Sequence, residues 1–279
     1  EVDGPHRRAQ FQGCVLFEAP RHKLATDAPL CVKLQNACFI GTADFENLRF
    51  AEIAEFDQAL FTRDVNFGAV RFLDDALFYG ASFLSDATFE DAQFSKLAYF
   101  PLAKFTSEAT FARAKFLSSA RFSSAWFYGY ADFNNAAFSL SADFPDAYFL
   151  EASNFAFTAF GANSSFGSVN FCGPSTFESA KFTSDAHFRH ATFVETVVFS
   201  GAEFGRDAIF SFAAFKAGVW FTIDSAHSRP VTFNRHADFS DAQFSGAARF
   251  AGACLKGRMN LRTAIFERYA DFSRIVAPD

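Results

Sequence analysis

From residue 45 onward phenylalanine recurs with a fixed rhythm: Phe45, Phe50, Phe56, Phe61, Phe67, Phe72, Phe78 and so on to Phe221. The steps alternate five, six, five, six, and all 33 slots between 45 and 221 are Phe. Phe39 precedes this run, and Phe233, Phe239, Phe244, Phe250, Phe266 and Phe272 follow it, with Leu34, Leu255 and Leu261 as substitutes; 40 of the 44 Phe are therefore in register. Two residues ahead of each Phe stands a small residue, which is Ala in 23 of the 33 slots. The residue between is usually polar or charged, as at Asp44, Arg49, Glu55, Asn66 and Arg71. Small-in, polar-out, Phe-in is the alternation of a short strand. The stretches between, such as Phe83-Leu84-Ser85-Asp86-Ala87, carry turn residues.

An eleven-residue period also corresponds to about 3.67 residues per turn of a supercoiled helix. Two features disfavour helix. A five-residue Phe step does not bring side chains together on a helix, where neighbours are three and four apart. The spacers are dense in Ser, Gly and Asp, and Phe itself is a mediocre helix former. The pattern predicts an all-β chain built by internal repetition.

Ala43-Asp44-Phe45-Glu46-Asn47, Ala131-Asp132-Phe133-Asn134-Asn135 and Ala237-Asp238-Phe239-Ser240-Asp241 resemble the unit of the pentapeptide-repeat family, A-(D/N)-(L/F)-x-x. The resemblance spans residues 34 to 274. It implies a right-handed quadrilateral β-helix, a β-solenoid with one unit per side and four per coil. This chain departs from the family by one residue in every second unit, so a coil would hold 22 residues, with the extra residue at two corners. Asp64, Asp75, Asp86, Glu108, Asp185 and Asp207 fall in the longer spacers and are suited to capping turn amides. A two-sided coil of eleven residues is the competing geometry, since two sheets about 10 Å apart could also hold facing rings. The structural core is expected at Phe45, Phe50, Phe56, Phe61, Phe67, Phe72 and their successors.

The ladder divides the chain into an N-terminal arm and cap (1–33), the solenoid (34–274) and a short tail (275–279). The rhythm breaks once, between Phe221 and Phe233, across Thr222-Ile223-Asp224-Ser225-Ala226-His227-Ser228-Arg229-Pro230. Ser228 is the candidate for the missing Phe slot, after which the rhythm resumes with its phase shifted. The segment 222–232 reads as a corner loop, tolerated or in contact with a partner. Phe157 and Phe212, each two residues after a ladder Phe, are either exposed at corners or buried by a distorted turn.

Composition adds mostly exclusions. The net charge of −6 does not suit a nucleic-acid or anionic-membrane binder that works through a basic surface. No run of 18 apolar residues suggests a membrane-spanning helix, and a cytoplasmic location is expected. Five Cys, an odd number without a C-x-x-C pair, read as free thiols in a reducing compartment rather than a disulfide among Cys14, Cys31 and Cys38. No nucleophile-elbow, zinc-protease, P-loop or dinucleotide motif is present. His187 and His190 are three apart but should diverge on a strand-and-corner trace. No catalytic residue, cofactor or metal site is expected, and a core filled with Phe leaves no cleft of the usual ligand size.

Information about partners must then lie in outward positions. With a 22-residue coil one column reads Arg49, Arg71, Gln93, Lys115, Ala137, Ala159, Lys181, Glu203, and another reads Leu60, Ser82, Lys104, Trp126, Tyr148, Asn170, Thr192. Trp126 and Tyr148 become neighbours, with Tyr128 and Tyr130 at the turn, and exposed aromatics are enriched at interfaces. Residues 43–248 carry 14 Lys+Arg and 24 Asp+Glu, a net of −10. The resemblance therefore offers a second reading, since some family members mimic duplex DNA and protect DNA gyrase. Nine coils would span about 45 Å, over which duplex DNA carries about 26 charges, more than twice what this rod offers. The sequence thus points to a non-catalytic protein-interaction or structural scaffold. Its alternative is a DNA mimic of a bacterial type II topoisomerase's substrate. The expected partner is a protein, with no direct nucleic-acid contact, and oligomers could form through the solenoid ends.

Overall fold

The computed structural model describes residues 33–224 and 229–277 in full, and the backbone alone at 7–10, 16–17 and 30–32. Nearly every strand is two residues long, because only the outward residue and one inward neighbour lie between corners. Strands pair in parallel with the equivalent residues 22 positions on: Val65 with Ala87, Arg71 with Gln93, Ala76 with Ala98, Ser82 with Lys104. Four strands, one per side, fall within each such interval, so the coil is four-sided with 22 residues and the two-sided geometry is excluded. We number the faces by their Phe columns: face I holds Phe45 and Phe67, face II Phe50 and Phe72, face III Phe56 and Phe78, and face IV Phe61 and Phe83. Among the described residues, faces I and IV are sheets of 11 and 12 strands. Faces II and III merge into one of 21, continuous through the bent strand Arg49–Glu55.

The two step lengths make two kinds of corner. In the five-residue step the Ala59 amide donates to the Phe56 carbonyl at 3.0 Å and Gln58 takes φ +58°, the signature of a type II turn. The same left-handed position recurs every eleven residues, at Asn47, Ala69, Gly80, Asp91, Leu102 and onward. Phe157 (φ 57°) and Phe212 (φ 60°) occupy it, so they point outward and are 40% and 44% exposed. In the six-residue step the extra residue bends the corner, and its acid caps the coil above. The Leu97 amide donates to Asp75, that of Glu108 to Asp86 and that of Asp207 to Asp185, at 3.1 to 3.2 Å.

The backbone ladders alternate in direction. On faces I and III amides donate to the following coil, as Phe45 to Asn66 and Phe56 to Leu77; on faces II and IV they donate to the preceding one, as Arg71 to Leu48 and Leu60 to Ala37. Every inner coil is thus bonded to both neighbours.

The core is a stack of rings. Phe50, Phe56, Phe61, Phe67 and Phe72 are fully buried, and Phe45, in the first fully ringed coil, is partly so. Within a column rings stack nearly parallel, at 4.7 Å for Phe45–Phe67 and 4.9 Å for Phe61–Phe83. Across the axis, faces I and III meet edge to face, as Phe56–Phe67 at 5.4 Å and 83°, the geometry ring quadrupoles favour. The Ala residues two before each Phe are buried and leave the rings room. Between 153 and 175 four of the five small positions carry a hydroxyl, Val169 being the exception. Ser153 donates to Ser175 and Thr158 to the Phe133 carbonyl, whereas the buried Ser164 hydroxyl has no partner.

At the N-terminal side the backbone of Leu16–Phe17 pairs with Cys38–Phe39 and that of Arg7–Gln10 with Leu30–Lys33; the rest of the expected arm, with Cys14, lies outside the described residues. Cys172 and Cys254 are partly buried thiols. At the other end Leu261, Phe266 and Phe272 are only partly buried and Val276 bridges to Cys254.

The break at 222–232 differs from the sequence expectation. Phe233 stacks on Phe204 at 5.0 Å, Phe239 on Phe210 and Phe250 on Phe221. Phe233 itself fills the next slot, so no slot is missing and the columns keep their phase; Ser228, outside the described residues, is not needed as a substitute. Register 204 to 233 is 29 residues instead of 22, so seven residues are inserted at a left-handed corner. The described residues on its two sides, 222–224 and 229–231, pair as the arms of a hairpin. Ile223 bridges Pro230 antiparallel, the Asp224 amide donates to the Arg229 carbonyl and the Val231 amide to that of Thr222. Among the described residues no helix is long and apolar enough to cross a membrane.

Candidate interaction surface

Face IV carries the expected aromatic cluster. Trp126 and Tyr148 each precede a core Phe, so both point outward, and parallel pairing sets them in one column between Lys104 and Asn170. Their rings stack at 4.2 Å and 8°. Tyr128, the first residue of the following corner, lies at 5.6 Å and 22° from Trp126 and is 38% exposed. These three form one patch. Tyr130 does not join it. The chain has turned the corner by then, and the Tyr130 hydroxyl pairs with Asn154 on face I, where partial burial raises its pKa.

The stacking limits what the patch can do. Trp126 and Tyr148 each cover one ring face of the other, so those two faces are closed to a ligand. A sugar or nucleobase needs an open ring face; a protein surface can use edges, hydroxyls and area together. The patch continues along the corner, because Leu150 and Cys172 follow Tyr128 at intervals of 22 and are partly exposed. The sequence named the aromatics but not this apolar extension, although the same 22-residue count would have found it.

Among the described residues, open grooves lie on the outside of the solenoid and none enters the Phe core. One, of about 540 Å³, runs along face I between Asp44, Asp64, Asp86 and Glu108, with Thr88 and Thr110 on its floor. Another, of about 360 Å³, lies at the foot of the hairpin. His187 lies on a face III strand and His190 at the next corner, stacked on Phe212 at 5.0 Å; they point apart. Among the described residues no three His, Cys, Asp or Glu side chains converge as metal ligands.

Sequence reasoning also missed how the hairpin is held. Asp224 is fully buried. The Ser179 hydroxyl donates to it at 3.0 Å, and Arg229 lies 3.6 Å from it while donating to Ser179. The signal was present as two glycines, Gly201 and Gly252, in the left-handed corner column on either side of the insertion.

The family model described as pentapeptide repeats (9 copies) matches residues 56–101 and 177–222, and the same coil runs in register between the two stretches. Those two stretches are pentapeptide repeats, and the chain has the pentapeptide-repeat fold. Among solved structures, the chain is similar to HetL, a pentapeptide repeat protein involved in heterocyst differentiation regulation from the cyanobacterium Nostoc. The two are 14% identical, over 85% of this chain and 90% of that one, with a TM-score of 0.19. No curated protein matches the chain.

Proposed function

We propose that this chain is a non-catalytic scaffold that binds a protein partner through Trp126, Tyr128 and Tyr148 on face IV. The observation that carries the reading is the Trp126–Tyr148 stack at 4.2 Å with Tyr128 beside it. This is a rigid aromatic surface held by the same backbone register that builds the core. Its ordering cost is already met by folding, which is what makes aromatic anchors effective at interfaces. The test is site-specific photocrosslinking in the source organism from position 148, with position 165 on face III as the control. A discrete protein adduct at 148, absent at 165 and lost in Trp126→Ser, is expected. Equal adducts from both faces, or none at 148, would refute it.

The acidic groove of face I favours a second reading, a DNA mimic that protects a type II topoisomerase. Against it stands the pairing of many acids on the rod. Asp74 lies 2.8 Å from Lys96, Glu90 and Asp91 share Arg113, and Glu203 faces Lys181, which lowers the charge a topoisomerase would meet. Protection of gyrase supercoiling from a quinolone checks this reading, and no effect at large molar excess removes it.

A further inference from the structure

The hairpin changes the surface around its foot. Its return strand ends at Thr232, which pairs with Glu203 in the outward column of face II above Lys181. A groove of about 360 Å³ opens there, lined by Ser179, Lys181, Glu203, Arg229, Asn234 and Lys256 among others. It holds three cations and one carboxylate, on a rod whose residues 43–277 carry 20 Lys+Arg and 26 Asp+Glu, a net of −6.

The carboxylate is already engaged on both oxygens: one lies 3.5 Å from the Lys181 ammonium, and the other accepts from the Asn234 amide at 3.3 Å. Arg229 is held from behind by Ser179 and the buried Asp224, so its guanidinium is fixed before any ligand arrives. Lys256 has no acidic partner among the described residues. It is exposed and stands one coil beyond Asn234 at the same corner. The three cations thus approach from three separate elements: the face II strand, the hairpin and the following corner.

We infer that this groove is a phosphate-binding site, in which Arg229, Lys181 and Lys256 hold one phosphate group. A tetrahedral oxyanion offers acceptor oxygens in several directions and carries close to two negative charges at neutral pH; a single carboxylate offers neither. Charge-assisted bonds from a pre-positioned guanidinium are the strong kind. The phosphate can be free or borne on a phosphorylated side chain of a partner.

The test uses the full chain, isotopically labelled, with amide shifts followed while inorganic phosphate or a phosphoserine peptide is added at constant ionic strength. Saturable shifts are expected around residues 179–181, 229–234 and 256. Lys256→Gln should weaken binding roughly tenfold, the worth of one hydrogen bond to a charged group, and Lys181→Gln with Lys256→Gln should weaken it further. Both lysines are exposed and outside the Phe core, so melting should not change. Tighter binding of the peptide than of free phosphate supports the site and assigns the source to a partner; equal binding supports it and assigns free phosphate. Absence of saturable shifts with either probe, or unchanged binding in the double variant, overturns it.

Discussion

Gly201 and Asp224 approach so closely that a Cβ on Gly201 would lie 2.6 Å from the Cβ of Asp224. Gly201 also has φ +69°. The left-handed conformation alone does not demand glycine, because Ala69 takes φ +50° in the same corner column. What demands it is the hairpin folded over the corner. Gly201→Ala should cost about 2 kcal/mol or more, combining left-handed strain with the clash. When 222–232 is replaced by the four residues of an ordinary five-residue step, the same substitution should cost only the strain, about 1 kcal/mol. Urea denaturation of the four proteins forms a double-mutant cycle. Equal costs in both backgrounds would show that the hairpin does not press on Gly201.

The contrast between Phe and Asp224 shows what was legible in the sequence. Each Phe obeys a local rule repeated dozens of times, so the strand alternation and the eleven-residue period follow from counting, while the 22-residue coil, and with it the Trp126–Tyr148 adjacency, follows from the family resemblance. Asp224 obeys no repeated rule. Its burial depends on Ser179, 45 residues earlier, and on a hairpin whose path is set by tertiary packing. The direction of Tyr130 was hidden for a related reason. It lies two residues from Tyr128, but a solenoid corner intervenes and sends the side chain to face I. The left-handed positions of Phe157 and Phe212 were also concealed, since a bulky residue rarely adopts that conformation; here the backbone ladders on both sides impose it.

Ser164 interrupts a column of alanines, with Ala142 below it and Ala186 above. Its hydroxyl is buried without a partner, and such a group costs about 1–3 kcal/mol. Ser164→Ala removes the hydroxyl and restores the column, so it should stabilise the protein by about 1 kcal/mol. Ser153→Ala is the control. That hydroxyl bonds Ser175 at 3.0 Å, and its loss should be neutral or destabilising. A chemical-denaturation midpoint for Ser164→Ala at or below the wild-type value would show that the hydroxyl is satisfied in solution.

Asp132 and Asp91 should respond to pH in opposite senses. Burial raises the Asp132 pKa, partly offset by bonds from the Asn134 amide and the Asn154 side chain. The Arg113 guanidinium lowers that of Asp91. For Asp132 the folded state holds its proton more tightly than the unfolded chain. Below the ordinary value of 3.8 the group is protonated in both states and has no effect. As pH rises from there through the raised folded pKa, the unfolded chain releases the proton first and stability falls. Asp132→Asn keeps an acceptor for the Asn134 amide and removes the charge, so it should stabilise the protein at neutral pH and lose that advantage in acid. For Asp91 the stabilisation by Arg113 is present above 3.8 and is lost as pH falls through the lowered folded pKa. Asp91→Asn should therefore destabilise at neutral pH and converge with wild type in acid. Melting curves of the three proteins across the acid-to-neutral range check both signs at once. A constant offset between Asp132→Asn and wild type across that range would mean that Asp132 ionises alike in the folded and unfolded chain.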